Sequence, residues 1–557
     1  MRFPMLPDIF MLWLAISVSL PNFILFFTEP APFSVRLANL TLLPALWWAG
    51  AFWLRRPGRA IWYYFPLIFF GAFEIVLLWL YGQDVIAVDM FLNLLTTNPN
   101  EAGELLGNLW PSLIVIVIIY VPLLVAGSVY FNCRPPEHSP LRSRTSRVYA
   151  PAAVFATGLV SLLCSPTPYG YGAVILGDIY PINVVYNAGL AVHRISEIRN
   201  YVETSRGFRF EAVSTRPDSL QETYIIVLGE TARADRWQLL NPGDTLSTNP
   251  LLSRRLKAKA DSAGTMVAFP RAISQSTTTH KAVPLMLTHL SARNYADSLV
   301  RVKSIITAFR EAGFHTTFIS NQRPNKSFIE KFTAEADTLI YTPDVPTNDL
   351  VLPPMVENIL KNDNHPGKKR VIILHTYGSH FSYRDRYQGV DIKPHLRPDD
   401  YTKATAKERP ILMNAYDNSI ILVDSMLSKL ITIITPLPGY TGLLYAGDHG
   451  EEIFDAEGLF LHATPFPTIN QLHVPFMIWL SPALQKSYFK SVSTGLDGRL
   501  LPSSEAFFHT ALHMAGVTTP KFDIRLSALN SDPEEPEIFF LNDHNLAYPL
   551  KNYGIKY

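Results

Sequence analysis

The hydrophobic pattern divides the chain into two parts. Residues 8–163 hold long runs of Leu, Ile, Phe, Trp and Val, whereas residues 200–557 hold short apolar runs set between polar segments. Five long runs reach bilayer length, at about 8–27, 35–54, 61–81, 105–131 and 148–164. They predict an N-terminal bundle of five transmembrane helices. The first run is too long for a simple signal peptide and lacks a small-residue cleavage site. Trp47, Trp48, Trp62, Tyr63, Tyr64 and Trp110 supply an interfacial aromatic rim. Glu74 falls in mid-run and reads as a hydrogen-bonded carboxyl inside the bundle.

Loop charge orients these spans. Arg2, the trio Arg55, Arg56 and Arg59, and the group Arg134, Arg142, Arg144 and Arg147 occupy alternate loops, while loops 28–34 and 82–104 carry no Lys or Arg. The positive-inside rule therefore places the N-terminus in the cytoplasm. Five crossings then put everything after about residue 165 outside, which is the periplasm of a bacterial cell with the spans in its inner membrane. The fifth span is short and contains Pro151, and losing it would reverse that placement.

Beyond residue 221 the period changes. YIIVL, TTFIS, VIILH, LLYAG and FMIWL read as strands, and SLVRVKSIITAFREAG and AYDNSIILVDSMLSKLITII read as helices. This alternation predicts an α/β domain with a mostly parallel central sheet covered on both faces. Three regions follow: a transmembrane domain at 1–164, a connector at 165–220, and a catalytic domain at 221–557. The connector segment YPINVVYNAGLAVHRISEIRNYVE has helical spacing and suits a helix lying along the membrane surface. The net charge of +1 gives no reason to expect nucleic acid as a partner. The two cysteines, Cys133 and Cys164, build neither a zinc knuckle nor a disulfide framework, and are expected to be reduced.

Several apolar strands stop at residues that can hold a metal or a phosphate. TYIIVLGET ends at Glu230 and Thr231, and TGLLYAGDHGEE at Asp448, His449 and Glu451. RVIILHTYGSH ends at His375 and runs on to His380, and TTFISNQ ends at Asn321. Ligands in open α/β sheets sit at the carboxyl ends of strands, so these four ends should converge. Adjacent Asp and His before Gly450 can reach one ion, and carboxylate with imidazole suits zinc. His462 lies close to the same motif. The segment SQSTTTHKAVPLML offers a nucleophile, because a metal lowers the pKa of a hydroxyl and a helix start favours an attached phosphate. Spacing does not choose among Ser276, Thr277, Thr278 and Thr279. In loop 83–104, Asn93, Thr97 and Glu101 recur every four residues and suggest a polar pocket for a cationic head group. Pro99 in that loop suits the first position of a new helix.

These segments together resemble the bacterial phosphoethanolamine transferases of the alkaline phosphatase/sulfatase superfamily, which include lipid A modifying and colistin-resistance enzymes. The matching stretches are LLTTNPNEAGEL, YPINVVYN, VLGETARADRW, the Thr-rich segment ending in VPLML, FISNQ, LHTYGSHFSYRDRY, NAYDNSI and GDHGEE. The resemblance implies a C-terminal domain of alkaline phosphatase/sulfatase type. It implies Glu230, Thr279, Asp448 and His449 as ligands of one or two zinc ions, with Thr279 as the nucleophile. His380 and His462 match residues near the phosphate or a second zinc, and Lys326 and His375 match pocket positions. Asn93, Thr97 and Glu101 match contacts to the head group. The implied donor is phosphatidylethanolamine and the implied acceptor is lipid A of lipopolysaccharide, with the enzyme a monomer. Many members brace the nucleophile with a disulfide, and here those positions are Gln275 and Leu285. The formylglycine motif C/S-x-P-x-R of sulfatases does not occur in the nucleophile region. The rival readings are a glycerophosphate transferase, a phospholipid hydrolase, an inactive membrane scaffold and a transporter.

Overall fold

The structure, a computed structural model, describes residues 6–29, 31–54, 56–81, 88, 91, 99–132, 143–165, 171–241, 246–257, 264–324, 327–342, 348–362, 368–455, 458–463, 467–488, 498–531, 536–542 and 544–553. The chain forms two compact units, one made of most residues up to His193 and one made of most residues from Arg194 onward.

The first unit contains α1 (Leu6–Thr28), α2 (Phe33–Trp53), α3 (Pro57–Tyr81), α4 (Pro99–Val129) and α5 (Ala150–Leu163). Stretches on α1, α3 and α4, and α5 together with the turn before it (Thr145–Leu163), are long and apolar enough to cross a membrane. Helix α2 has the length, but Arg36, Asn39, Thr41 and its tryptophans make it less apolar. Pro99 opens α4. A π-turn at Thr145–Tyr149 precedes α5, and Pro151 falls in the first turn of α5, where a missing N–H costs little. Phe10, Leu14 and Val18 pack with Ile61, Ile68, Tyr120 and Leu123. Asn22 crosses this apolar unit with bonds to Asn39 Oδ1 at 2.8 Å and to the Tyr180 carbonyl at 2.9 Å. Glu74 is fully buried. Cys164 is a free, exposed thiol, and Cys133 lies outside the described residues.

Helices α6 (Tyr171–Asp178) and α7 (Ile182–Thr204) follow. Val185 and Val192 on α7 are exposed. The end of α7 is anchored by Tyr201, whose hydroxyl donates to Glu335 Oε1 at 2.6 Å. Glu335 also accepts from Ser304 N at 2.9 Å and Thr307 Oγ1 at 2.8 Å.

The second unit is built on an eight-stranded sheet. In chain order its strands are β1 (Glu222–Gly229), β2 (Thr265–Ile273), β3 (His315–Ser320), β4 (Thr338–Tyr341), β5 (Lys369–His375), β6 (Tyr440–Gly447), β7 (His473–Leu480) and β8 (Leu500–Pro502). Their spatial order is β8-β2-β7-β6-β1-β5-β3-β4. Only β7 runs against its neighbours. Every residue of β1 is buried, as a central parallel strand covered on both faces requires. Strand β2 was not expected from the pattern, because Pro270 interrupts it. The sheet accepts this proline beside a register shift between Val474 and Phe476, where the Pro270 carbonyl takes a bond from His473 Nε2 at 2.6 Å.

The expected helix at 298–313 is shorter. It covers only Ile305–Glu311, because Val302 is extended and the Ser304 hydroxyl caps the helix by accepting from Ile306 N. Three further helices matter below: α8 (Thr279–Leu287), α9 (Arg409–Ile434) and α10 (Ser503–Met514).

Candidate active site

Strand register builds the site. Gly229 at the end of β1 pairs with Gly447 at the end of β6, and Leu228 pairs with His375 at the end of β5. The next residues along, Glu230 and Asp448, therefore emerge side by side. The chain turns at once after Glu230, where Thr231 takes φ 51°, a region that β-branched residues rarely enter. Three contacts hold it there. Its Oγ1 donates to Glu230 Oε1 at 2.6 Å, its N–H to Asp448 Oδ1 at 3.0 Å, and its carbonyl accepts from Tyr416 of α9 at 2.8 Å. Gly378 brings in a neighbouring loop. A Cβ there would stand 2.3 Å from the Glu230 carbonyl, which instead accepts from Ser379 N at 3.1 Å.

Glu230, Asp448 and His449 are all buried and offer one ligand atom each within 4.8 Å of one another. His449 Nδ1 lies 2.8 Å from the Gly450 carbonyl, which fixes that nitrogen as the donor and leaves Nε2 as the ligand. Thr279, the first residue of α8, completes the group. Its Oγ1 is 3.2 Å from each Glu230 oxygen and 3.1 Å from His449 Nε2. The loop before it is fixed through Ser274, whose hydroxyl lies within hydrogen-bond reach of the Ser276 and Asp448 carbonyls and has one proton to give to either. Leu541 N donates to the Gln275 carbonyl at 2.8 Å, and Lys281 Nζ to the Asn542 carbonyl at 2.7 Å.

A divalent cation fits this group on electrostatic grounds. Asp448 Oδ2 has no hydrogen-bond partner among the described residues. Burial, reinforced by the neighbouring Glu230 charge, pushes the Asp448 carboxyl well up. Burial also works to raise Glu230, but His449, His380 and the bonds from Thr231 and Gln322 outweigh it and hold that carboxyl down. Two carboxylates at this spacing keep one negative charge more easily than two, and a bound cation would relieve the second. Burial lowers the His449 imidazole, which favours the neutral, ligating form.

The remaining histidines separate by position. His462 stacks its ring 4.3 Å from that of His449, with Nδ1 3.5 Å from Glu451 Oε2, and His380 lies 6.1 Å from His462 by ring centroids. Burial pushes the His462 imidazole well down. Glu451 is fully buried behind them, and burial pushes its carboxyl well up. His375 is deeper, 3.4 Å from Ser320 Oγ, and burial lowers it to about 4. Asn321 is not part of the group. It bonds Asp349 at 2.8 Å and Thr342 at 2.7 Å, and Asp349 in turn holds the backbone of Tyr377 and Gly378. Asn93, Thr97 and Lys326 lie outside the described residues, and Glu101 is described only as a helical position of α4.

Sequence reasoning missed two residues. Gln322, one place after Asn321, donates from Nε2 to Glu230 Oε2 at 2.9 Å and to the Thr376 carbonyl at 2.8 Å. A polar residue past a strand end was the available signal, and the pattern favoured its neighbour. Gln322→Ala should weaken metal binding by about tenfold, read by chelator competition, because groups that orient ligands contribute on that scale. Arg233 is the other. It is 2% exposed and pairs with Asp455 at 2.6 Å and Asp235 at 2.8 Å, tying β1 to the segment after His449.

Fold and side chains together define a class: an α/β domain with a candidate metal centre and a hydroxyl at the carboxyl ends of its strands, joined to an apolar helical region. A family profile described as Sulfatase matches residues 222–517, more than half of the chain, and the chain belongs to that family. Phosphoethanolamine transferase EptA of Escherichia coli (strain K12) is 28% identical over 315 residues, covering 53% of each chain, so the alignment spans about half the length of that relative. Kdo(2)-lipid A phosphoethanolamine 7''-transferase of the same strain is 24% identical over 477 residues, covering 78% of this chain and 79% of the relative. Among solved structures, integral membrane lipooligosaccharide phosphoethanolamine transferase A from Neisseria meningitidis shares the fold with a TM-score of 0.64 at 20% identity, over 95% of this chain and 99% of that one. The C-terminal periplasmic domain of EptC from Escherichia coli, in complex with Zn, has a TM-score of 0.53 at 22% identity, over 62% of this chain and 97% of that one. The expected architecture of apolar N-terminal helices and a sulfatase-type domain with a mostly parallel sheet therefore holds.

Proposed function

We propose that this protein transfers phosphoethanolamine from phosphatidylethanolamine to an envelope acceptor, lipid A of lipopolysaccharide, through a phosphorylated Thr279. The observation that carries the reading is the Thr279 hydroxyl held 3.1–3.2 Å from Glu230 and His449 within a group that fits a divalent cation. The names of the relatives supply the head group and the acceptor. The zinc in the EptC domain supports zinc as the ion.

Glu230, Asp448, His449 and Thr279 would hold the zinc. When bound, the ion supplies charge for the phosphoryl oxygens and lowers the pKa of the hydroxyl. The Thr279 oxygen forms the bond to phosphorus, and the bond from phosphorus to the diacylglycerol oxygen breaks. In the second half an acceptor oxygen forms the new bond to phosphorus and Thr279 is released. The acceptor hydroxyl loses the proton that diacylglycerol gains, so the count closes. Buried neutral imidazoles at His449 and His462 suit this site, since phosphoryl transfer needs positioning and charge neutralisation more than proton shuttling. In this proposal Asn93, Thr97 and Glu101 are assigned to recognition of the ethanolamine ammonium, and Lys326, His375, His380 and His462 to the phosphate. The apolar helices lie in the inner membrane of a bacterial cell, with residues 221–557 in the periplasm.

Intact mass spectrometry of protein incubated with phosphatidylethanolamine and no acceptor tests this. A phosphoethanolamine adduct on Thr279 is the expected result. An adduct of glycerophosphate mass, formed only when phosphatidylglycerol replaces phosphatidylethanolamine, would favour the glycerophosphate transferase, and no adduct on any residue would sink the covalent route.

A further inference from the structure

Tyr416 of α9 is fully buried, and its hydroxyl spans the turn that follows Glu230. It donates to the Thr231 carbonyl at 2.8 Å and accepts from Arg233 N at 2.9 Å. Between these two, Ala232 N donates to the His449 carbonyl at 2.7 Å. The Tyr416 ring packs edge-on against that of Tyr383 at 5.2 Å, which holds the hydroxyl in place. The turn is therefore stitched on one side to the strand end that carries Asp448 and His449, and on the other to α9 through a single oxygen.

The same turn aims both carboxylates. Thr231 N and His449 N donate to Asp448 Oδ1, at 3.0 and 2.6 Å, so Oδ2 is the oxygen left for a cation. Thr231 Oγ1 donates to Glu230 Oε1 at 2.6 Å, and Thr279 Oγ1 lies 3.2 Å from each Glu230 oxygen. These contacts depend on Thr231 keeping its φ of 51°, which is costly for a β-branched residue and must be imposed by its surroundings. Removal of the Tyr416 hydroxyl leaves the Thr231 carbonyl and the Arg233 N–H buried without that partner. The turn is then free to relax toward negative φ, carrying the Thr231 N–H off Asp448 and its hydroxyl off Glu230.

We propose that Tyr416 is a positioning residue for the metal centre. Through Thr231 it sets how tightly Glu230 and Asp448 hold the ion, and how Thr279 is aligned on it. The inference deepens the proposed function and rests on its reading of Glu230, Asp448 and His449 as zinc ligands.

The test compares Tyr416→Phe with Tyr201→Phe in the full chain in detergent. Tyr201 is also buried, and its hydroxyl lies against two partners, Glu335 Oε1 at 2.6 Å and the Val302 carbonyl at 2.9 Å, neither of which belongs to the site. Both variants should lower the melting temperature. Only Tyr416→Phe should weaken zinc, by about tenfold in chelator competition. At saturating zinc it should lower kcat and leave KM for phosphatidylethanolamine unchanged. Glycine takes the left-handed region without strain, so in a Thr231→Gly background the same change should weaken zinc by a smaller but measurable factor. That background carries the test if Tyr416→Phe alone does not fold. Wild-type zinc affinity in Tyr416→Phe, no further loss in the double variant, equal losses in both backgrounds, or a matching loss in Tyr201→Phe would overturn the inference. A wild-type chain that binds no zinc would instead overturn the metal reading beneath it.

Discussion

Thr279→Ala should reduce phosphoethanolamine transfer by on the order of 10³-fold or more, because it removes the atom proposed to form the covalent intermediate. The loss should appear in the chemical step. The side chain is small and sits at the first position of α8, where Ala is tolerated and Thr278 precedes it in extended geometry. Folding should therefore survive, and a thermal melt should move little. Glu230, Asp448 and His449 remain, so metal should still bind, with reduced affinity for want of one oxygen. Thr279→Ser keeps that oxygen and should retain part of the rate. Single-turnover kinetics with labelled phosphatidylethanolamine, read beside metal content, separates these effects. A variant that still gives a full burst of diacylglycerol would end the assignment of Thr279.

Metal removal, or Asp448→Asn, should have an effect at least as large, loss of all measurable transfer. The metal-free protein should also show a distinctive pH dependence. The Asp448 carboxyl is raised above its ordinary value near about 3.9 by burial and by Glu230. The folded state then binds the Asp448 proton more tightly than the unfolded state does. Its contribution to stability is complete below the unfolded value and falls as pH rises toward the folded one. Glu451 shifts in the same direction, again through burial. Glu230 shifts the other way, and it is the member of the pair that carries the charge. Burial lowers His375, His449 and His462, which makes stability rise with pH through the ordinary histidine range; above it, where these rings are neutral in both states, stripped protein should lose stability as pH rises, and zinc should flatten that slope. Thermal unfolding across pH, with and without chelator, reads it directly. A metal-free protein that grows more stable as pH rises above the ordinary histidine range would contradict this charge assignment.

Most of the site could be read from sequence for one physical reason. Parallel strands bring their carboxyl ends to one edge, so a strand ending in Glu230 and another ending in Asp448 and His449 had to meet once the sheet was recognised. Register then made them neighbours rather than merely members of the same edge. Pattern could not foresee the choice between adjacent polar residues. Asn321 and Gln322 look alike as letters, but the first braces the Asp349 loop and the second reaches Glu230. Strand β2 was hidden because its Pro270 breaks the period, and only the irregular pairing with β7 makes that proline admissible. Family resemblance, not spacing, selected Thr279 among its three hydroxyl neighbours, and the structure places its oxygen beside Glu230 and His449.

The groups around Thr279 come from distant parts of the chain. Thr279 and His449 are 170 residues apart, and Thr231 and Asp448 are 217 apart. No short fragment contains the set, so a nascent or partly unravelled domain has nothing with which to hold the ion well. A ligand that binds only the finished form stabilises it by mass action, about 2.7 kcal/mol when present at one hundred times its dissociation constant. Zinc would thus act as a latch on assembly as well as a reagent. Loss of the ion would then remove stability as well as activity.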